Sequence, residues 1–457
     1  MSGAVLASVT SFPGAGAGAP VAPSAPAATV RRSLSARSVP RTVRTDPPAQ
    51  VVATPGPVLL SGVLDGPSLE AHRDRFCQLP QLDLDTVLAT VGAGAVVGRG
   101  GAGFPFARKL AAAAAGRRRA VVVINLAEGE PASAKDTALA LVAPHQILDG
   151  AEVVARALRT TEVHIVTPLE RPAVGDAIAA ALSERAAQPG RRDRSQPRWR
   201  MRAAEPGFVS GQARAVLELL AGRPGLPVTA WKPEAMSGLD GRPTLLSNAE
   251  TWAQVAAVLR MGALGYAAHG TDTEPGTTLL TLPHRRDADT AVVLEAAYGT
   301  PWVDVLGPDV EQPVLLGGFH GTWADAGVLA EATVSREELR ARGLGLGAGV
   351  VLPMRADQCP VAVTSEIVDY LAKASARRCG PCLNGLPALA EEMRLVALGE
   401  TSASWTRIGE LVGLVDKRGA CAHPDGTARL VRSLLTTFDD EVALHLSELF
   451  AQAGGVV

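Results

Sequence analysis

Residues 117–133 read RRRAVVVINLAEGEPAS. Val121 to Ile124 are four β-branched residues in a row, bounded by turn formers and lacking a polar face. Such a run is a strand covered on both sides, the kind found inside a parallel sheet. Downstream, HQILDGAEVVARALRT (145–160) carries helical spacing, TEVHIVTPLE (161–170) is a second strand, and RPAVGDAIAAALSERAA (171–187) is an amphipathic helix. Strand alternating with helix predicts a doubly wound α/β layer. QPGRRDRSQPRWR (188–200) is polar and basic and reads as a surface loop.

Outward from this layer the pattern changes twice. From residue 271, TTLLTLP, TAVVLEAAYGTPWVDVL and PVLLGGFHGTW read as short strands and turns with one helix, a small α+β unit. Beyond residue 350 the spacing is helical. Ile367, Tyr370 and Leu371 share one face, Trp405, Ile408, Leu411, Val412 and Val415 a second, and Val431, Leu434, Leu435 and Phe438 a third. These faces predict a helix bundle with cysteines at its helix ends. The expected division is a tail over 1–55, an α/β domain over 56–270, the α+β unit over 271–350 and the bundle over 351–457.

Of 457 residues, 44 are basic and 46 acidic, a formal charge of −2, which argues against nucleic acid or an anionic membrane surface as the main partner. No stretch approaches the eighteen or so apolar residues needed to span a bilayer. The Ala/Pro/Ser-rich first 55 residues bury too little apolar surface to offset their ordering entropy, and are expected to be disordered. They are uncharged until Arg31, unlike a secretory signal. The expectation is a cytoplasmic protein, any link to the inner face of a membrane being made through a partner. Five cysteines in so long a chain are not a disulfide framework.

Residues 98–103, GRGGAG, satisfy G-x-G-x-x-G at Gly98, Gly100 and Gly103. Glycines at this spacing let backbone N–H groups approach a phosphate with no Cβ in the way. Glu128, twenty-five residues past Gly103, would be the ribose-binding acid of a dinucleotide site. That reading gives a simple NAD-dependent dehydrogenase without a cluster.

A longer set of motifs is more specific. GRGGAGFP (98–105) with Lys109 resembles the flavin-mononucleotide loop of the flavoprotein (NADH-oxidising) subunit of respiratory complex I. The flavin subunits of NAD-linked hydrogenases and formate dehydrogenases share that loop. NLAEGEPASAKD (125–136) is similar to NADExEPGTxKD, PHQILDG (144–150) to PHxLIEG, and SGLDGRPTLLSNAET (237–251) to SGLxGKPTxVNNVET. The resemblance runs from about residue 90 to the C-terminus. It implies FMN held by Gly98, Arg99, Gly100, Gly101 and Gly103, with Phe104 beside the loop and Lys109 offsetting phosphate charge. Asn125, Gly211, Ser247, Asn248 and Thr251 would add neutral contacts, and Glu128 and Glu130 match carboxylates near the isoalloxazine and nicotinamide. It also implies a β-grasp fold for 271–350, where Gly317 and Gly318 match a GGxSGG turn.

The nicotinamide half departs from the pattern. Ala127 replaces the aspartate of NADE. FVSGQA (208–213) corresponds to YxCGEE, so Gln212 and Ala213 replace two carboxylates. TAWKPE (229–234) stands where LKPPFP helps hold NADH. Each lost charged hydrogen bond costs about 1.5–3 kcal/mol. The chain is therefore expected to keep the flavin and to use NADH poorly.

The family holds a 4Fe–4S cluster with SCGxCTPCREG and a fourth cysteine about forty residues on. Here SARRCGPCLNG (375–385) keeps Cys379 and Cys382 but has Ala376 at the first position, and Cys421 follows 39 residues after Cys382. His423 is the expected fourth ligand, since imidazole can replace thiolate, with Cys359 the alternative. Three cysteines and a histidine also describe a zinc site. Cys77 has no partner in sequence. The resemblance implies an oxidoreductase subunit that passes electrons between FMN and the cluster and exchanges them with another redox subunit, a ferredoxin-like carrier or a membrane redox partner. A degenerate structural paralogue without redox cofactors is the third reading.

Overall fold

The computed structural model describes residues 43–188, 197–284, 287, 289–308, 310–400, 403–439 and 442. Most of the expected tail and the C-terminal residues 443–457 lie outside this set. In chain order the described strands are β1 (Gln50–Ala53), β2 (Val121–Asn125), β3 (Glu162–Pro168), β4 (Arg198–Ala204), β5 (Thr244–Asn248), β6 (Thr277–Pro283), β7 (Thr290–Ala297), β8 (Val314–Leu316), β9 (Thr322–Ala324) and β10 (Val351–Pro353).

All five residues of β2 are buried. It pairs in parallel with β3 on one side and β5 on the other, giving the four-stranded order β4-β3-β2-β5. Helices α4 (Lys135–Val142) and α5 (Pro144–Ala157) carry the chain from β2 to β3, and α6 (Pro172–Ala186) from β3 to β4. The chain then passes through α7 (Ala213–Leu220) to β5 on the far side of β2. The strand order therefore reverses between β2 and β5, the place where open α/β sheets take ligands.

Helix α8 (Ala249–Ala267) crosses α5 closely. A Cβ on Gly150 would lie 2.0 Å from the Trp252 carbonyl, so this contact tolerates only glycine. Trp252 is fully buried, bonds the Val123 and Ser247 carbonyls through its indole N–H, and meets Phe106 edge to face at 5.4 Å. Helices α1 (Leu69–Arg75), α2 (Leu84–Ala93) and α3 (Phe106–Ala114) complete this domain.

Two segments depart from the expected division. Arg198–Ala204, placed in the basic loop, is the edge strand β4, whose mostly exposed side chains give the sequence no apolar signal. Gln50–Ala53, placed in the tail, forms β1 and pairs in parallel with β7 at Thr290–Val293. The Glu295 carboxylate of β7 then accepts the backbone N–H groups of Val58, Leu59 and Leu60, fixing the turn that follows.

The unit after residue 271 has two three-stranded sheets, β1-β7-β6 and β10-β8-β9, bridged at Thr281 and Val350, with short helices α9 (Trp302–Leu306), α10 (Ala326–Ala330) and α11 (Arg336–Ala341). The bundle is α12 (Pro360–Lys373), α13 (Leu386–Ala397), α14 (Trp405–Val415) and α15 (His423–Thr437). Its core contains Ile367, Leu371, Ile408, Leu411, Val415, Val431 and Leu434 from the three expected faces. No single helix among the described residues is long and apolar enough to cross a membrane.

Candidate functional site

The glycine loop is a closed turn. Val97 bridges Pro105, and the Gly98 N–H donates to the Phe104 carbonyl at 2.9 Å. Gly101 (φ 100°) and Gly103 (φ 62°) adopt left-handed backbone conformations that a side chain would strain. A Cβ on Gly100 would meet nothing within 4 Å, so the loop presents an open face there. The Arg99 N–H donates to Thr251 Oγ1 at 2.9 Å, which ties the loop to the start of α8. The Arg99 side chain turns inward, 2% exposed, over the Tyr298 ring and 3.8 Å from Glu250, with Nε and Nη1 unbonded. Phe104 is half exposed at the loop's end.

Asn125 and Asn248 are register partners at the C-terminal ends of β2 and β5. Both amides are already engaged within the protein. Asn125 Nδ2 donates to the Gly211 carbonyl at 2.7 Å, and its Oδ1 accepts from the Ala127 N–H. Asn248 donates to Asp136 and accepts from Thr251 Oγ1. They shape the crevice wall. Gly211 closes it, since a Cβ there would stand 2.1 Å from the Ala127 carbonyl. Ser247 is buried beside them.

The two expected carboxylates differ. Glu128 accepts from Ser133 Oγ, from the Asp136 and Thr137 N–H groups, from Thr137 Oγ1 and from Arg171. Burial works against its charge, but Arg171 and Lys135 hold it below the usual range. Glu128 thus anchors the start of α4. Among the described residues Glu130 accepts the N–H groups of Phe319 and Ala132 alone, and burial pushes it up to about 7. Its side chain sits against Gly318, so the expected Gly317–Gly318 turn covers this acid.

Lys109 donates to the Leu246 carbonyl and pairs with Glu234 Oε1, both at 2.7 Å. This partner lies in the altered TAWKPE segment and carries no signal of its own. A second feature beyond sequence reasoning is the buried group of Lys135, Asp136 and Glu250. Lys135 Nζ is 2.8 Å from Asp136 and 3.2 Å from Glu250. Burial opposes the lysine charge, yet the surrounding anions raise its pKa. Asp136 also accepts the Glu250 N–H at 2.7 Å, so it positions Asn248 and α8 together. Its sequence traces were the AKD end of the 125–136 motif and Glu250 in the 237–251 motif.

A flavin phosphate and ribityl chain suit this crevice. It offers an open glycine face at a switch point, neutral walls, and one lysine at its edge.

At the end of the bundle, Cys379 Sγ lies 3.7 Å from the Sγ of Cys382, which sits within a π-helical turn (Pro381–Gly385) that leads into α13. Burial works against the Cys379 thiolate, but N–H donation from Ala420 and Cys382 carries it below the usual thiol range. Burial, then the Cys379 thiol, push Cys382 up to about 12. Cys421, also raised by burial, interacts with Cys379 and is bonded by the Gln212 side chain. Among the described residues, no three His, Cys, Asp or Glu side chains stand close enough as placed to enclose a metal ion. The donors suit a thiolate-bound cluster in kind, and fall short of a closed shell in number.

His423 does not fill the gap. Its Nε2 lies 2.8 Å from the Leu371 carbonyl and its Nδ1 lies 3.1 Å from His320 Nε2. A carbonyl only accepts, so Nε2 carries the proton and Nδ1 accepts from His320. The ring is fully buried and packs with Phe208, at 5.4 Å, and with His320, at 5.0 Å. The expected fourth ligand is a packing residue, and the zinc reading loses the same donor.

Comparison with known proteins follows this division. The Nuo51 FMN-binding domain matches residues 91–257, and the NADH-ubiquinone oxidoreductase-F iron-sulfur binding region matches residues 362–445. The mitochondrial NADH dehydrogenase [ubiquinone] flavoprotein 1 of Dictyostelium discoideum is 25% identical over 378 residues, 78% of this chain and 78% of that protein. The NADP-reducing hydrogenase subunit HndC of Solidesulfovibrio fructosivorans is 25% identical over 371 residues, 77% of this chain and 74% of that protein. An NAD+-reducing NiFe-hydrogenase structure shares the fold, with a TM-score of 0.73 at 23% identity, covering 85% of this chain and 66% of that one. The two matched regions stand in the order of the crevice and the thiol site, and in both the chain is similar, at low identity, to complex I flavoprotein subunits and their hydrogenase counterparts.

Proposed function

We propose that this chain is an electron-transfer oxidoreductase subunit that passes electrons between FMN in the crevice and an iron–sulfur cluster on the bundle. Its parts are the flavin-binding α/β layer, a β-grasp unit that covers Glu130, and the cysteine-bearing bundle. One observation carries the reading. The Gly211 carbonyl takes the Asn125 amide at the crevice wall, while the side chain of the adjacent Gln212 reaches the neighbourhood of Cys421. A single step along the backbone joins the flavin side to the thiol side.

FMN, when bound, supplies the change from two-electron to one-electron transfer. The chain's part is to hold it. The open glycine face and the loop's backbone N–H groups take the phosphate, Lys109 offsets its charge, and Asn125, Ser247, Asn248 and Thr251 keep the walls neutral and fixed. Cys379, Cys382 and Cys421 hold the cluster. NADH is a poor donor, because Ala127, Gln212 and Ala213 leave its ribose hydroxyls without carboxylate acceptors. Electrons come from or go to another redox subunit or a ferredoxin-like carrier, as suits a relative of multi-subunit enzymes.

An anaerobic titration followed by visible spectrum, with FMN, iron and sulfide assayed per chain, tests this. The expected result is a flavin and iron–sulfur spectrum that dithionite bleaches fully and NADH only slowly. Absence of both cofactors overturns the proposal. Rapid bleaching by NADH overturns the donor assignment alone.

A further inference from the structure

One side of the glycine loop is covered by the two-sheet unit that follows residue 271. A Cβ on Gly101 would stand 3.7 Å from the Gly347 carbonyl carbon, and a Cβ on Gly103 would stand 3.3 Å from Arg336 Nη1. Arg336 begins α11, outside every motif of the loop and crevice. Its aim is fixed from two sides. The backbone N–H donates to Glu274 at 3.0 Å, and Nε donates to Tyr298 Oη at 2.9 Å. Glu274 spends its oxygens on that N–H, on the Glu337 N–H and on Ser335 Oγ. Among the described residues, Nη1 and Nη2 of Arg336 form no hydrogen bond and no ion pair.

The same tyrosine carries Arg99 on its ring face at 5.0 Å, and Arg99 is buried with Nε and Nη1 unbonded. Two guanidiniums with spare donors therefore meet at Tyr298, beside the loop, and burial works against the charge of both. An anion placed there would satisfy donors that are otherwise costly to bury. Lys109 differs, because Glu234 already stands 2.7 Å from its ammonium.

We infer, resting on the reading of the crevice as the FMN site, that Arg336 is a phosphate-binding residue of that site and clamps the flavin between the α/β layer and the unit after residue 271. Its free Nη1 and Nη2 form the planar fork that suits two oxygens of one phosphate. The contact is to the phosphate alone, so Arg336 favours FMN over riboflavin.

The flavin-free full chain is titrated with FMN and with riboflavin, each followed by quenching of flavin fluorescence. The parent chain is expected to bind FMN more tightly than riboflavin. Arg336→Gln is expected to lose about 10- to 100-fold in FMN affinity, the worth of a charge-assisted hydrogen bond, with riboflavin affinity unchanged. Unchanged riboflavin binding also shows that the variant is folded. A parent chain with no preference for FMN overturns the inference, and so does a parent-like preference in Arg336→Gln. An equal loss for both flavins overturns it too, since it marks Arg336 as a structural contact between the units. Should Arg336→Gln not fold, Tyr298→Phe decides, because it removes only the hydroxyl that aims the guanidinium. It is expected to reduce the preference for FMN, and an unchanged preference overturns the inference. A parent chain that binds neither flavin refutes the flavin reading instead.

Discussion

Lys109 Nζ and Glu234 Oε1 form a 2.7 Å ion pair, so the lysine at the edge of the flavin crevice already has an anion of the protein's own. Burial raises the Glu234 pKa, but Lys109 more than offsets it and keeps the carboxylate ionised. A flavin phosphate must share or displace that partner. Lys109→Ala is expected to weaken FMN binding by about 10- to 100-fold, the worth of a charge-assisted hydrogen bond. Glu234→Gln, which leaves the lysine free, is expected to tighten it several-fold. Quenching of FMN fluorescence by the flavin-free chain measures both.

Glu130 gives a pH dependence. Burial raises its folded-state pKa to about 7, above the ordinary carboxyl value of 4.5. Between these pH values the folded protein keeps a proton that the unfolded chain has released, so stability falls as pH rises across this window. The span corresponds to about 3–4 kcal/mol. Melting at pH 5 and pH 8 should show it, and Glu130→Gln should flatten the difference.

Arg185 is a buried hub. Its guanidinium bonds Glu152 at 2.9 Å, Asp149 at 2.5 Å, and both the ring and carbonyl of His145. Burial, then the Arg185 charge, lower His145 to about 4, so that imidazole is neutral near pH 7. Arg185→Ala removes one cation from Asp149 and Glu152, which keep Arg260, His72 and Arg156, and is expected to cost about 1–3 kcal/mol. Denaturant unfolding should show a lower midpoint and an unchanged slope.

Gln212 and Ala213 stand where the related motif has two carboxylates. Gln212→Glu with Ala213→Glu is expected to improve NADH-driven bleaching by at least 10-fold, since each regained charged hydrogen bond is worth about 1.5–3 kcal/mol. The rate of anaerobic flavin reduction is the readout. The same pair of changes should weaken the Gln212 contact to Cys421, visible as a shifted midpoint in the iron–sulfur absorbance.

The α/β layer was legible because β2 is apolar on both faces and the helices around it keep their spacing. β4 escaped because an edge strand rich in arginine has no buried periodicity. β1 escaped because four residues at the end of an Ala/Pro-rich stretch become a strand only against β7, far along the chain. In the site, the glycine loop, the paired asparagines and the three cysteines were visible as motifs. Side-chain direction was not. Two residues of spacing brought His423 near Cys421 in sequence, but α15 begins there and turns the imidazole to Leu371 and His320. Glu128 and Glu130 are separated by one residue, yet one holds a helix start and the other faces a turn of a different unit.

The pairing of β1 with β7 also sets a schedule during synthesis. Gln50 meets Thr290, 240 residues later. At about 5–20 residues per second, the ribosome leaves the first strand waiting roughly 12–48 s for its neighbour. The whole flavin layer emerges in that interval, while the segment destined for β1 has no partner and is open to chaperones or to a second nascent chain. Premature release of the polypeptide before residue 290 would therefore leave an unpaired strand at the front of an otherwise complete domain.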